Sequence, residues 1–391
     1  MRAHPKIFAL LMAAMIVLAA CGGATAPATS PGNEYGTTGG DTAAPVAGDG
    51  VDKSKLSPKL SIYTWADYIA PEVLTQFQTE YGVEVTVDVF DNNEDMIAKI
   101  RTGNSGYDVV FPSDYAVELM WKDKLIAPLD KSLLTNMKYL KPENMKLYYD
   151  PENTYSLPYN QGLTGVAYLK SKFATPPDSW AVLLDPAQAA TIKGQFSMLD
   201  DEREVPGAAL KLLGKSLNET NAEDLKKVEE MLKAQKEFIA AYDSSSVGRK
   251  LASGEVIIAQ IYSNVAAQAR LGVTSGDQQY PGNPDVGFFF PKEGGTIWQD
   301  NIAIVADSAN NYTAHVFLNF MMRPEIAALN TKFNLGITPN IEAEKQLPPE
   351  LQQLYKEGFA PDAAVLQRAE WLVRNDATAV FTDLWTAVKG E

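Results

Sequence analysis

Residues 60–90 read LSIYTWADYIAPEVLTQFQTEYGVEVTVDVF and place a helix pattern between two strand patterns. The run Leu60 to Thr64 is a short apolar strand, and Pro71 to Tyr81 repeats apolar side chains at helical spacing until Gly82. Val83 to Phe90 then alternates apolar and polar side chains, as a half-buried strand does. This alternation predicts an α/β fold.

The same pattern continues along the chain. A helix pattern over Asp95 to Thr102 leads to an apolar strand over Tyr107 to Phe111, so strands and helices alternate as in a doubly wound sheet. A second α/β region begins near Gly162, with strands over Gln195 to Leu199 and Val256 to Ile261. The clearest helix pattern lies between these two strands.

That helix pattern covers Asn221 to Tyr242, with Asn221 as its cap, and its apolar stripe is typical of a core helix and not of a site. About 340 residues follow residue 50, which is more than one hydrophobic core ordinarily supports. We therefore predict two lobes.

The N-terminus has the features of a secretory signal. Arg2 and Lys6 precede an apolar run, Ile7 to Ala20, that is shorter than the roughly 20 residues needed to span a bilayer. Cys21 follows Leu-Ala-Ala and resembles the acylated cysteine of a bacterial lipobox, although a lone cysteine can also be a small apolar residue. We predict a signal peptide over residues 1–20, lipidation of Cys21, and an extracytoplasmic protein anchored to the cell membrane.

The next segment is predicted to be a flexible tether over residues 21–58. Gly22 to Gly50 is dominated by Gly, Ala, Thr and Pro and cannot bury enough apolar surface to fold. The net charge of −15 makes nucleic acid an improbable partner. Excess acidic residues ordinarily form a solvated surface that keeps a protein soluble. A second interpretation of the acidic excess is that the ligand is cationic.

Acidic side chains lie next to aromatic ones in several short segments. These are Trp65-Ala-Asp67-Tyr68, Ser113-Asp114-Tyr115 and Trp298-Gln299-Asp300, together with the acidic run Asp200-Asp201-Glu202-Arg203-Glu204. An aromatic face attracts an ammonium group by roughly 0.5–2 kcal/mol, and a carboxylate supplies the ion pair that a partly buried cation needs. If the fold brings these segments together, they form a site for an organic cation.

Their positions relative to the predicted strands support one shared site. Trp65 to Tyr68 and Ser113 to Tyr115 each follow a strand directly, and so do Asp200-Asp201 and Tyr262-Ser263-Asn264 in the second region. Ligands of doubly wound sheets bind beyond the carboxyl ends of the strands. The two regions would therefore present their polar clusters to each other.

A series of motifs in one order resembles the spermidine/putrescine-binding proteins of polyamine ABC importers. The motifs are Ile62-Tyr-Thr-Trp-Ala-Asp-Tyr68, Tyr107-Asp-Val-Val-Phe-Pro-Ser113, Tyr155-Ser-Leu-Pro-Tyr159, Asp200-Asp-Glu-Arg-Glu-Val205, Phe290-Pro-Lys-Glu-Gly-Gly295 with Trp298-Gln-Asp300, and Arg323-Pro-Glu325. The resemblance implies a class II periplasmic-binding-protein fold that closes over a polyamine and delivers it to a membrane permease. It places lobe 1 at residues 59–162 and 301–345, and lobe 2 at residues 163–300 and 346–391.

The resemblance also assigns binding residues by position. It implies an aromatic box of Trp65, Tyr68, Tyr115, Tyr262 and Trp298, amine-pairing acids Asp67, Asp201, Glu204 and Asp300, and hydroxyl partners Ser113 and Ser244. No cofactor or metal is expected, and the protein is expected to act as a monomer.

Ordinary structural roles remain open for several of these residues. Trp65 and Tyr115 could be core aromatics, and Asp67 could cap the helix that begins at Pro71. Asp200 and Asp201 could form a solvated loop, and Glu204 could pair with Arg203 or with another surface cation.

The chain departs from the family pattern at three positions. Tyr262 stands where relatives commonly have Trp, Gly336 where a pocket Tyr is expected, and Leu372 where a Gln follows Glu370-Trp371. These departures leave open a ligand other than putrescine or spermidine, such as another organic cation or amine-bearing metabolite.

Other functions have less support. Beyond the signal the chain holds one histidine, His315, for which a helix-face or core role is the favoured interpretation, and it has no cysteine besides Cys21. Paired carboxylates could still form a secreted glycosidase, and a two-lobed receptor could report its ligand to a membrane sensor. We predict a binding protein and not an enzyme.

Overall fold

The computed structural model describes residues 50–275, 278–374 and 378–390. The described residues from Val51 onward form one compact unit. The predicted signal peptide, the predicted lipidation of Cys21 and most of the predicted tether fall outside the described residues. Within those residues, every helix is too short or too polar to cross a bilayer.

The strands are numbered in chain order. They are β1 Lys59–Trp65, β2 Glu84–Phe90, β3 Val109–Val110, β4 Ser156–Leu169, β5 Phe196–Met198, β6 Ala241–Tyr242, β7 Ile258–Tyr262, β8 Gly272–Ser275, β9 Gln278–Pro281, β10 Val286–Phe289, β11 Gly295–Ile304 and β12 Ala369–Glu370.

The α-helices are α1 Pro71–Tyr81, α2 Asn93–Arg101, α3 Asp114–Lys122, α4 Ala181–Leu184, α5 Pro186–Thr191, α6 Glu204–Leu212, α7 Ala222–Gln235, α8 Val247–Ser253, α9 Ser263–Leu271, α10 Asn311–Met321, α11 Pro324–Asn334, α12 Ile341–Glu344, α13 Pro349–Leu354, α14 Ala363–Leu366 and α15 Thr378–Lys389. Short 3-10 helices lie at Lys53–Lys55, Lys131–Leu133, Thr135–Tyr139, Pro142–Asn144 and Lys170–Lys172, and a π-helical turn lies at Tyr355–Phe359.

The sheet order is β2-β1-β3-β11-β4-β7-β5-β6, with β10 also on β4 and β12 also on β11. Strands β1, β2 and β3 pair in parallel, and so do β5, β6 and β7. The long strands β4 and β11 are antiparallel to each other and join the two parallel groups. The prediction of an α/β fold with parallel strands is therefore confirmed. The antiparallel pairing of β4 with β11 at the centre of the sheet was not predicted.

The buried apolar side chains form three clusters. The first packs α1 and α10 onto one face of β1–β3 through residues such as Phe77 and Phe317, and the second packs α2 and α3 onto the other face through Met96 and Met120. The third surrounds β5, β7 and β10 and includes Trp180. Helices on both faces of β1–β3 are the doubly wound arrangement that the strand and helix alternation predicted.

Strands β4 and β11 each contribute to more than one cluster. Leu157 of β4 and Ile302 of β11 belong to the first cluster, whereas Leu163 of β4 and Ile297 of β11 belong to the third. The middle of both strands therefore lies where the chain passes from one packed region to the other.

One predicted helix is too long. The pattern over Asn221 to Tyr242 predicts one helix, but α7 ends at Gln235, and Ala241–Tyr242 is a strand beside β5. The backbone N–H of Ala240 donates to the carbonyl of Phe196, so sheet pairing replaces the last turns of the helix. Asn221 does cap the helix, because its side chain accepts from the backbone N–H groups of Glu223 and Asp224.

Candidate functional site

A cleft of about 1280 Å³ lies at the middle of β11, beside the carboxyl ends of β1 and β7. The predicted binding residues all line it: Trp65, Asp67, Tyr68, Ser113, Tyr115, Asp201, Glu204, Ser244, Tyr262, Trp298 and Asp300. The parallel strands of both groups end there, which is why segments far apart in sequence meet. Their role in binding a ligand stays a prediction.

Asp300 is the buried acid at one end of this cleft. It is 9% exposed, and its carboxylate accepts hydrogen bonds from Ser113 Oγ, at 2.7 Å, and from the Tyr68 hydroxyl. Asn93, in the first turn of α2, fixes Ser113 by accepting from its backbone N–H at 3.1 Å. Burial raises the pKa of Asp300 to about 6, and the two hydroxyl donors oppose that rise.

Glu204, the first residue of α6, is the second buried acid. It is 5% exposed, and its two oxygens accept from Thr164 Oγ1 of β4 at 2.9 Å and from Thr296 Oγ1 of β11 at 2.7 Å. Burial raises the pKa of Glu204 well above its ordinary value, and the nearby Asp201 carboxylate raises it further.

Among the described residues, neither Glu204 nor Asp300 forms a salt bridge with a lysine or an arginine. Arg203 makes no salt bridge with Glu204, although its positive charge lowers the pKa of that carboxyl against the larger effect of burial. The Arg203 guanidinium instead donates to the carbonyl of Val373 at 2.7 Å and to Asn218 Oδ1 at 2.9 Å. Both buried acids keep hydroxyl donors as their hydrogen-bond partners.

The aromatic residues lie between and beside these acids. Trp298 is two residues from both Thr296 and Asp300 on β11, so it shares their face of the strand. Its ring packs over Gly162, the residue opposite it on β4, and meets the Tyr262 ring edge-on at a centroid distance of 6.0 Å. Any side chain at Gly162 would overlap the indole, because an added Cβ would lie 2.1 Å from Trp298 Cζ2.

Trp65 and Tyr68 are held from the β1 side. Trp65 Nε1 donates to the carbonyl of Phe111 at 3.0 Å, and its ring packs against Phe90 at 4.5 Å. Tyr68 is buried against Phe111 and Tyr159. Trp65 therefore combines a structural role with a place in the cleft lining.

The other predicted acids and Ser244 are more exposed. Asp67 is exposed and has a left-handed backbone with φ of 52°, and Ala70 takes the cap position of α1 in its place. Asp201 accepts from the backbone N–H groups of Arg203 and Glu204 at 2.8 and 2.9 Å, which fixes the start of α6. Ser244 Oγ accepts from the Asp200 N–H at 2.9 Å.

His315 has the structural role that the sequence favoured. It is 1% exposed in α10, its Nε2 accepts from the Asp130 backbone N–H at 2.8 Å, and its Nδ1 lies 2.8 Å from the carbonyl of Asn311.

Two threonines of the site were not selected from the sequence, and Asp114 was named only as part of the segment Ser113-Asp114-Tyr115. Thr164 and Thr296 hold Glu204, and buried Asp114 accepts from the N–H groups of Tyr115 and Gln299 at 2.6 and 3.2 Å. Burial raises the pKa of Asp114 to about 7. The local sequence around a threonine in a strand does not indicate which side chain its hydroxyl will bond. The two threonines became apparent only once the structure placed β4 and β11 side by side next to Glu204.

The departures from the family pattern are accommodated in different ways. Leu372 lines the cleft. Gly336 lies against Asn160, where an added Cβ would be 1.9 Å from Oδ1, and its carbonyl accepts from the Tyr355 hydroxyl. A larger residue at Gly336 would therefore displace Asn160, which donates to the Tyr68 hydroxyl at 3.2 Å.

Comparison with known proteins identifies similar chains. The family of bacterial extracellular solute-binding proteins matches residues 72–356. The putrescine/cadaverine-binding protein of Pseudomonas aeruginosa is 33% identical over 346 residues, covering 87% of this chain and 96% of the relative. The spermidine/putrescine-binding periplasmic protein of Escherichia coli K12 is 34% identical over 336 residues, covering 84% and 91%.

Solved structures show the same fold. The spermidine/putrescine ABC transporter substrate-binding protein of Streptococcus pneumoniae is 31% identical with a TM-score of 0.74, covering 85% of this chain and 99% of its own. A lipoprotein of Treponema pallidum is 25% identical with a TM-score of 0.72, covering 85% and 100%. These matches confirm the predicted periplasmic-binding-protein fold and the resemblance to polyamine-binding proteins. They also confirm the prediction that the chain is a binding protein and not an enzyme.

Proposed function

This chain belongs to the family of bacterial extracellular solute-binding proteins, and we propose that its solute is a linear polyamine such as putrescine or spermidine. The protein acts outside the cytoplasm. The relatives described above are named as polyamine-binding proteins. The cleft has the carboxylates and aromatic rings that such a ligand requires.

The observation that carries the proposal is the pair of buried carboxylates Glu204 and Asp300. Thr296, which donates to Glu204, and Asp300 are four residues apart on β11, a spacing of about 13 Å along the strand, so the two acids meet β11 at opposite ends of this stretch. A buried carboxylate that has no cationic partner is costly, and a ligand ammonium at each acid would offset that cost. A ligand with a positive charge at each end fits this arrangement.

The aromatic residues supply contacts for the carbon chain between two ammonium groups. Trp298 lies between Thr296 and Asp300 on the same face of β11, and Tyr262 meets it edge-on. Burying methylene groups against such rings contributes roughly 25 cal/mol per Å², and the ring faces also attract ammonium groups. Asp67, Asp201, Ser113 and Ser244 complete the proposed set of ligand contacts, together with Trp65, Tyr68 and Tyr115.

We propose that binding closes two lobes around the ligand. Lobe 1 comprises residues 59–162 and 301–345, and lobe 2 comprises residues 163–300 and 346–391. Asp300 is the last residue of the first lobe 2 segment, and its carboxylate accepts from Ser113 and Tyr68 of lobe 1. The Glu204 carboxylate accepts from residues of lobe 2, so a ligand that contacts both acids bridges the two lobes and favours the closed population. The closed protein then delivers the polyamine to the permease of an ABC importer.

Tethering to the membrane completes the proposal. Acylation of Cys21 would anchor the protein as a monomer beside its permease, with residues 21–58 as the tether. Metabolic labelling with a fatty-acid analogue tests this directly, because Cys21→Ser should abolish the label and release the protein from the membrane.

Calorimetric titration with linear polyamines tests the ligand. One-to-one binding that depends on Asp300 and Glu204 supports the proposal. If the protein binds a different organic cation and none of the linear polyamines, the proposed ligand is wrong. Loss of polyamine uptake on deletion of the gene would distinguish delivery to a permease from a sensing role.

A further inference from the structure

The cleft lining includes a cation of the protein itself, Arg374. Its guanidinium carbon lies 4.2 Å from the centroid of the Tyr115 ring, and it forms a salt bridge with Glu94 of α2. The side chain is 16% exposed, and its Nε has no hydrogen-bond partner among the residues that the structure describes. Arg374 therefore occupies a face of one of the aromatic rings predicted to receive a ligand ammonium.

The backbone that carries Arg374 is held firmly. Val373 donates its N–H to Asn218 Oδ1 at 2.9 Å, and its carbonyl accepts from Arg203 at 2.7 Å. The carbonyl of Trp371 accepts from Asn218 Nδ2 at 2.9 Å. Because three hydrogen bonds fix the preceding residues, the guanidinium is directed to a defined place in the cleft.

The positive charge acts on the part of the cleft near Tyr115 and Tyr262. It lowers the pKa of Tyr262 and of Asp114 against the larger effect of burial, which raises both. The buried acids Glu204 and Asp300, by contrast, have no salt bridge with a lysine or arginine in the described part of the chain. The cleft lining thus contains the two buried acids and three cations: Arg374, the exposed Arg249, and Lys250, which pairs with Asp243 at 2.8 Å.

We propose that Arg374 is a specificity-determining residue that makes the cleft favour linear diamines over linear triamines and tetraamines. This inference rests on the proposed function. The two buried acids, Glu204 and Asp300, each match one ammonium group, whereas Asp67 and Asp201 are more exposed to water. A further ammonium near Tyr115 meets a ring face that the Arg374 guanidinium already covers. Like charges in a partly buried cleft repel more strongly than in water, so the additional charge is penalised.

The test compares putrescine, a diamine, with spermidine, a triamine, by calorimetric titration of the purified protein. Arg374→Gln removes the charge and retains an amide that can donate to Glu94. It should raise spermidine affinity at least fivefold and change putrescine affinity less than twofold. Arg374→Lys keeps the charge, so it should keep the wild-type preference.

Arg368→Met is the matched control, because Arg368 also stacks on an aromatic ring, that of Phe290 at 5.4 Å, but lies outside the cleft lining. It should leave the ratio of the two affinities unchanged. If thermal unfolding shows that Arg374→Gln is misfolded, Arg374→Met carries the same expectation.

If Arg374→Gln changes the affinities for putrescine and spermidine by the same factor, or changes neither, Arg374 does not determine the preference between them. The proposal is also overturned if Arg374→Lys behaves as the glutamine variant, because the effect would then not depend on charge. Absence of binding to either amine by the wild-type protein would instead defeat the proposed function, which distinguishes the two failures.

Discussion

Thr296 donates a 2.7 Å hydrogen bond to Glu204, joining the face of β11 that carries Trp298 and Asp300 to the start of α6. Thr164 donates to the other oxygen of the same carboxylate from β4. Hydroxyl groups satisfy the oxygens of Glu204 without neutralising its charge. The arrangement keeps a buried carboxylate in position for an external cation.

Glu204→Gln should lower polyamine affinity at least tenfold, because the variant cannot neutralise a ligand ammonium. The same variant should unfold at an equal or higher temperature at pH 8. The folded-state pKa of Glu204 is raised, so its stabilising contribution is present below the ordinary pKa of 4.5 and is lost as pH rises. Titration calorimetry and thermal unfolding measure the two effects.

The control for this variant is Glu342→Gln, on an exposed ion pair with Lys345. It should leave both the affinity and the unfolding temperature close to wild type. A lower unfolding temperature in Glu204→Gln at pH 8 would contradict the view that this carboxylate is held at a cost to stability.

Polyamine affinity should fall as pH is lowered from 8 to 5. Asp300 and Glu204, whose pKa values burial raises to about 6 and about 8, become protonated as pH falls and can then no longer pair with an ammonium group. Binding near pH 6 should therefore release protons, which calorimetry detects as a dependence of the measured heat on the ionisation enthalpy of the buffer. Proton uptake on binding, or an affinity independent of pH, would contradict the role of these two acids.

Tyr68→Phe should make this pH dependence stronger. The Tyr68 hydroxyl donates to Asp300 and lowers its pKa, so its removal should move the pKa of Asp300 upward. Affinity should then fall more at pH 6 than at pH 8 relative to wild type. An equal loss at both pH values would indicate that Tyr68 acts through packing alone.

Gly162→Ala should weaken polyamine binding about tenfold or more by displacing the Trp298 ring, because an added Cβ would lie 2.1 Å from Cζ2. Trp298→Leu should weaken binding too, through loss of the ring face. Combining the two changes should weaken binding no further than Trp298→Leu alone. Additive losses in the double variant would show that Gly162 acts independently of Trp298.

The sequence predicted the parts of this fold that depend on local patterns. The strands β1 and β2 and the helix α1 follow directly from apolar spacing, and α1 has the predicted bounds Pro71–Tyr81. The early end of α7 could not be predicted, because residues 241–242 pair with β5 through contacts that their local sequence does not encode.

The candidate site also combines residues that local sequence could identify with residues that only distant contacts bring together. Trp298, Asp300, Glu204 and Tyr262 lie in segments that the sequence singled out by acid and aromatic content or by position after a predicted strand. The resemblance to a known family gave them binding roles and added Ser244. Arg374 could not be selected, since a single arginine gives no sign that it will reach Glu94 and Tyr115 across more than 250 residues. Such contacts depend on the complete packing of the chain.

Titration calorimetry of the purified protein with putrescine, cadaverine, spermidine and spermine tests the central claim most directly. Wild type should bind at least one of these amines one-to-one, Asp300→Asn should weaken that binding more than tenfold, and the exposed control Asp178→Asn should leave it unchanged. No binding to any of the four amines, or unchanged affinity in Asp300→Asn, would contradict the claim that this cleft is a polyamine site.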